Sequence, residues 1–152
     1  MRILLVRHAE AESGEGIDDA ARSLSDYGRA TAERVATSLL AQGLVPSVFV
    51  ASPRLRTQQT AAIFAKILSF QGAIESMPAL CYTRPAAPAA RELSARAGDV
   101  LAFGHMPTLA EISKLLCRGK GLSSFAPSEV LMIEGGRALW SLDPDSLRIV
   151  RH

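Results

Sequence analysis

The chain has 152 residues, enough for one domain with a full hydrophobic core. Apolar residues make up 48% and charged residues 21%, and no run approaches the roughly 18 to 20 apolar residues that a membrane span needs. The net charge of +2 comes with no Lys/Arg run and no aromatic ladder, which argues against nucleic-acid binding.

The elements follow in chain order. Ile3 to Val6 form an apolar run with strand character, closed by Arg7 and His8. The run is too short for a signal peptide, so a cytoplasmic location is expected. The stretch Ala9 to Arg22 is a long acidic loop with Glu10, Glu12, Glu15, Asp18 and Asp19; loops of this length in a compact domain are often functional. Ser25 stands as the cap of a helix whose apolar face is Ala32, Val35, Ala36, Leu39 and Leu40, ended by Gly43. Val48 to Val50 is a second buried strand. Ser52 as cap and Pro53 as first-turn residue open the next helix, which buries Ala61, Phe64, Ala65 and Leu68.

Ala73 to Met77 is expected as an edge strand. Pro78, Pro85 and Pro88 forbid one regular element through 78–90, and a short helix is expected over 89–97. Asp99 to Phe103 is a strand, followed by Gly104 and His105, then by a helix from Thr108 to Leu116 with Pro107 near its first turn. Residues 119–127 read as loop. Glu129 to Glu134 and Ala138 to Leu142 form a hairpin about Gly135-Gly136, and Leu147 to Val150 adds a last strand. The alternation predicts a single domain over 1–152, a three-layer α/β/α sandwich on a mostly parallel central sheet. Cys81 and Cys117 match neither zinc spacing nor a disulfide framework and read as plain thiols. Nothing calls for a metal or cofactor. No surplus apolar stripe is evident, so a monomer is expected.

Three strand ends carry related chemistry: Arg7-His8, then Ser52 with Arg56 one turn into its helix, then Gly104-His105. In an open α/β sheet the carboxyl ends of the strands line the ligand crevice. Two arginines and two histidines meeting there suit a phosphoryl group, because the guanidinium fork matches phosphate oxygens and a helix amino terminus attracts anions. Arg54, two residues from Arg56, is expected to point elsewhere, and His152 reads as a surface residue.

These residues resemble the histidine phosphatase superfamily, and more specifically the small SixA-type phosphohistidine phosphatases. RHAEA at the start, Arg22 with Leu24-Ser25, Gly28, SPRLRTQQT from Ser52 to Thr60 and GHMP from Gly104 to Pro107 carry the likeness along nearly the whole chain. The family signature Arg-His-Gly stands here as Arg7-His8-Ala9, for which a local backbone adjustment is expected. The resemblance implies a phosphoglycerate mutase-like fold. It implies His8 as the phosphate-accepting nucleophile and Arg7, Arg56 and His105 as the rest of the phosphate pocket.

Elementary chemistry agrees with that reading. The attacking imidazole must be neutral, which Arg7 and Arg56 favour, and a carbonyl on its other nitrogen would set the tautomer. The same cations and His105 stabilise the equatorial oxygens, and water completes a two-step covalent route. Met77 to Tyr82 holds no carboxylate where larger relatives carry a general acid. An alkoxide needs a proton on leaving, whereas a phosphohistidine imidazole can already carry one, so N–P cleavage on a phosphorylated protein is favoured. The first loop qualifies this: Glu10, Glu12, Asp18 or Asp19 folding back would supply an acid, with Arg22 a further secondary residue. A small-molecule phosphomonoesterase and a non-catalytic phosphate-binding module are the alternatives. The segment 78–96 is too short for a cap, which predicts a shallow open pocket with His8 at its floor.

Overall fold

The computed structural model describes residues 1–152. Seven strands are present: β1 (Arg2–Arg7), β2 (Val48–Ala51), β3 (Ile74–Ser76), β4 (Val100–Gly104), β5 (Val130–Glu134), β6 (Arg137–Leu142) and β7 (Ile149–Arg151). Four helices accompany them: α1 (Asp26–Leu40), α2 (Leu55–Ile67), α3 (Ala86–Ser94) and α4 (Thr108–Leu116). Short 3₁₀ turns lie at Asp19–Ala21 and Pro78–Leu80. No helix is long and apolar enough to cross a membrane.

The strands form one sheet in the order β3-β2-β4-β1-β5-β6-β7. β3, β2, β4 and β1 pair in parallel, whereas β5, β6 and β7 add antiparallel pairings. The sheet is therefore mixed, and its parallel half carries the strand ends singled out above. The Gly135-Gly136 hairpin forms as expected, with φ of 59° and 73°; both residues need the left-handed region that such a turn demands.

Strand alternation sorts the core into two layers. Leu4, Val6, Phe49, Leu101 and Phe103 face α1 and α2, meeting Ala32, Val35, Leu39 and Phe64. Ile3, Leu5, Val50, Val100 and Ala102 face the other way, toward Leu93 of α3 and Leu109 and Ile112 of α4. The three-layer arrangement follows because the central strands β1, β2, β4 and β5 are apolar on both faces and need cover on both. Phe103 lies 5.7 Å from Phe49 and 5.2 Å from Phe64, ring to ring. These rings clamp β2 to β4 just before the functional strand ends, and truncating Phe103 to Ala would cost about 3–5 kcal/mol.

Several details differ from expectation. β7 runs over Ile149–Arg151 and not 147–150, and Leu40, expected on the apolar face of α1, is exposed at its last position. α2 starts at Leu55 with Arg54 as its N-cap residue, not with Ser52 and Pro53, because the Ser52 hydroxyl is drawn to His105. α3 spans Ala86–Ser94, three residues earlier than the expected 89–97. Pro85 precedes its first residue and Pro88 falls in its first turn, where no intrahelical N–H is needed, so neither proline opposes it.

Candidate active site

β1 and β4 lie side by side, with Arg7 opposite Gly104. Beyond them the chain leaves toward helices on opposite faces, which opens a crevice at their carboxyl ends. Main-chain bonds extend the ladder into it. His8 N–H donates to the Gly104 carbonyl at 3.0 Å, and Ser52 N–H donates to the Phe103 carbonyl at 3.1 Å. All three strand ends thus converge on the end of β4.

The His8 ring is fixed by its neighbour. Nδ1 lies 2.7 Å from the Ala9 carbonyl oxygen. A carbonyl only accepts, so Nδ1 carries the hydrogen and Nε2 keeps the lone pair in the neutral ring. Burial pushes the His8 pKa down to about 4, against the Ala9 carbonyl and with the charges of Arg56, Arg7 and Arg22. Ala9 is fully buried, and its N–H donates to Thr60 Oγ1 at 3.0 Å. Its φ is negative, so the residue in the glycine position of the family signature needs no strained backbone.

His105 is 2% exposed, and its ring centroid lies 5.2 Å from that of His8. Nε2 is 2.6 Å from Ser52 Oγ, which is 2.8 Å from Thr57 Oγ1. Nδ1 is buried and has no protein partner. Burial, with His8, Arg56 and Arg54 nearby, pushes the His105 pKa down to about 3 against the opposing charge of Asp19. Both rings are neutral at pH 7.

Two cations complete the cluster. Arg7 Nη1 donates to the Phe125 carbonyl at 2.7 Å, and burial lowers its pKa. Arg56 is 4% exposed and reaches the first loop, its Nη1 donating to the Asp19 carbonyl at 2.9 Å and its Nη2 to Asp19 Oδ2 at 3.3 Å. The Nε atoms of both arginines are buried without a protein partner, so each guanidinium keeps a donor for a bound anion.

The first loop divides. Asp19 also accepts from Tyr82 OH at 2.6 Å and pairs with Arg22 at 3.2 Å. The Tyr82 hydrogen bond, followed by Arg22 and Arg56, holds its pKa at about 2 despite partial burial. Arg22 also donates to the Glu12 carbonyl at 2.9 Å. Glu10 accepts from the Ser25 hydroxyl at 2.8 Å, and Asp18 caps the 3₁₀ turn through Ala20 N–H at 3.2 Å. Asp19 and Arg22 therefore reach the site, whereas Glu10 and Asp18 serve local capping.

Sequence reasoning placed Ser52 at its strand end but read its hydroxyl as a helix cap, and it missed Thr57 and Tyr82. The polar pair at positions i and i+5 around Arg56 was a weak signal for a buried hydroxyl relay; nothing flagged Tyr82. The segment 78–96 does not fold over His8, since α3 packs on α4 and the sheet. Tyr82 leans in, its ring centroid 5.3 Å from that of His105. Arg54 does not point away: its Cζ lies 5.3 Å from the Tyr82 ring centroid.

Comparison with known proteins agrees with this geometry. No curated protein matches the chain in sequence. The structure of the protein histidine phosphatase SixA complexed with tungstate is similar at 23% identity, with a TM-score of 0.90, covering 97% of this chain and all of that one. A structure from Agrobacterium tumefaciens bearing the SixA name gives 25% identity and a TM-score of 0.83, over 94% of this chain and 97% of its own. Mycobacterial glucosyl-3-phosphoglycerate phosphatase with VO3 shares the fold at 15% identity and a TM-score of 0.67, over 99% and 96% of the two chains. Residues 3–81 match the model of the Histidine phosphatase superfamily (branch 1), which is just over half the length, and the chain belongs to that family.

Proposed function

We propose that this phosphatase removes the phosphoryl group from a phosphohistidine on a protein. The observation that carries this reading is the state of His8: Nδ1–H is tied to the Ala9 carbonyl, and a pKa of about 4 leaves Nε2 unprotonated at neutral pH. The Nε2 lone pair attacks phosphorus, and the substrate P–N bond breaks. The leaving imidazole takes the electron pair and departs neutral, because its other ring nitrogen already carries a proton. Arg7, Arg56 and His105 surround the transferred group. Water then attacks phosphorus, releases His8 and yields inorganic phosphate.

The proton inventory supports N–P over O–P cleavage. The first-loop carboxylate that reaches the site, Asp19, is held ionised at about pKa 2, so it has no proton to give an alkoxide near neutrality. The experiment is a short exposure to labelled phosphohistidine peptide followed by quenching. Acid-labile, base-stable label on the wild type and none on His8→Ala is the expected result. Equal labelling of both would remove His8 as nucleophile.

A small-molecule phosphomonoesterase is the second reading, favoured by the approach of Asp19 to Arg56. A panel of sugar phosphates and phosphoglycerates beside the peptide decides between them. A higher kcat/KM on any alkyl ester would reverse the order.

A further inference from the structure

α2 begins with a cation where helix electrostatics favour an anion. Arg54 is its N-cap residue and makes no side-chain capping bond. Arg56 has Asp19 as partner, but Arg54 takes part in no ion pair. Its guanidinium instead turns over the Tyr82 ring and toward the Cys81 sulfur, and its Nε is buried without a hydrogen-bond partner. Arg84, also without an ion pair, joins it in lining a cavity of about 240 Å³ with Pro53, Pro78, Cys81 and Thr83. No carboxylate lines this cavity. Asp19, the carboxylate whose charge acts on Arg54, is committed to Arg22, Arg56 and Tyr82.

The place of the cavity is informative. It opens at the carboxyl edge of the sheet, next to Tyr82, whose ring lies 5.3 Å from both the His105 ring and Arg54 Cζ. Two guanidinium groups and the positive end of a 13-residue helix meet there. The volume is below the roughly 300–1,000 Å³ of sites that enclose a small molecule, but it admits a single acidic side chain.

We infer that this cavity is a second anion subsite, which receives the carboxylate of an Asp or Glu close in sequence to the phosphorylated histidine of the substrate. The inference rests on the phosphohistidine reading for its substrate and on Arg54 and Arg84 for its chemistry. It gives the enzyme a means of selecting among phosphohistidine proteins by the charge beside the phosphohistidine.

The test uses two phosphohistidine peptides that differ only in Asp/Glu against Asn/Gln flanking the phosphorylated residue. The ratio of their KM values is read within each enzyme, so any general damage to catalysis cancels. Wild type should favour the acidic peptide by about tenfold, the size of one charge-assisted contact. Arg84→Gln should reduce the ratio, and Arg54→Gln with Arg84→Gln should bring it near one. Equal KM values for wild type overturn the subsite. A second readout is independent of turnover: the Arg54 Nε–Hε resonance, titrated with the unphosphorylated peptides. It should shift with the acidic peptide and not with its amide. If neither phosphopeptide is hydrolysed but this shift occurs, the phosphohistidine reading falls and the anion subsite stands. No shift, or equal shifts with both peptides, removes the subsite.

Discussion

Ser52 Oγ sits 2.6 Å from His105 Nε2, in a pocket where both residues are almost wholly buried. The Arg54 carbonyl already accepts the N–H groups of Thr57 and Gln58. It also accepts the Thr57 hydroxyl at 3.0 Å, so the Ser52 hydroxyl is the group placed to donate to His105 Nε2, a direction that leaves the hydrogen on Nδ1. A neutral His105 then offers a donor to a phosphoryl oxygen without carrying charge. Ser52→Ala should lower kcat/KM about ten- to a hundredfold, as loss of a buried hydrogen bond worth about 1–3 kcal/mol implies. Nitrogen chemical shifts of the His105 ring should show a change of tautomer; an unchanged tautomer would refute the relay.

The two histidines also govern the response to acid. Their folded pKa values, about 4 for His8 and about 3 for His105, lie below the ordinary value of 6.5. Between those limits the unfolded chain binds more protons than the folded one, so stability rises with pH. It is fully present above about pH 6.5 and declines as pH falls toward the folded values. Tm measured from pH 7 to pH 4 should fall less steeply in the His8→Ala, His105→Ala double variant than in wild type. On the activity side, kcat/KM should drop as His8 protonates near pH 4.

Arg56 binds two oxygens of Asp19, and the proposed mechanism uses it as a phosphate donor. Arg56→Ala should reduce kcat/KM by about a hundred- to a thousandfold, the usual cost of removing a preorganised charge donor. Arg56→Lys should recover only part of this, because an ammonium lacks the planar fork. Carbon NMR should show the Asp19 carboxyl titrating above its present value of about 2 in both variants. An unshifted Asp19 would mean the two side chains do not interact in solution.

Gly28 marks where the first loop crosses α1. A Cβ there would lie 2.1 Å from the Glu10 carbonyl oxygen, which also receives Ser25 N–H at 3.0 Å. Gly28→Ala should cost roughly 1–3 kcal/mol, the range of overpacking, and loosen the loop that carries Asp19. Denaturant unfolding measures the first effect, and a higher KM the second.

Ala9 replaces the signature glycine without strain. Ala9→Gly should therefore bring no gain in kcat/KM and should lower stability by about 0.5–1 kcal/mol through unfolded-chain entropy. A more active glycine variant would show that the alanine side chain restrains catalysis.

Most of the architecture was legible in the chain because it rests on local periodicity. Apolar runs at Ile3–Val6 and Val48–Val50, helical stripes such as Ala32, Val35, Ala36 and Leu39, and the Gly135-Gly136 turn each follow from short-range rules. That Arg7, His8, Arg56 and His105 would lie at one end of the sheet was legible too, since strand ends of a parallel sheet converge wherever the order of strands reverses. What only the tertiary structure decided was the partner of each polar group. Ser52 reads locally as a helix cap, but a buried imidazole 53 residues away competes for its hydroxyl and wins. Arg54 reads as solvated, yet Tyr82 lies against it from beyond β3. Asp19 reads as a possible proton donor, but three residues that lie 3, 37 and 63 positions along the chain hold it ionised. Periodicity is encoded within a few residues and survives in the sequence. Hydrogen-bond choice and pKa depend on which distant groups share one dry crevice, and the fold alone brings those groups together.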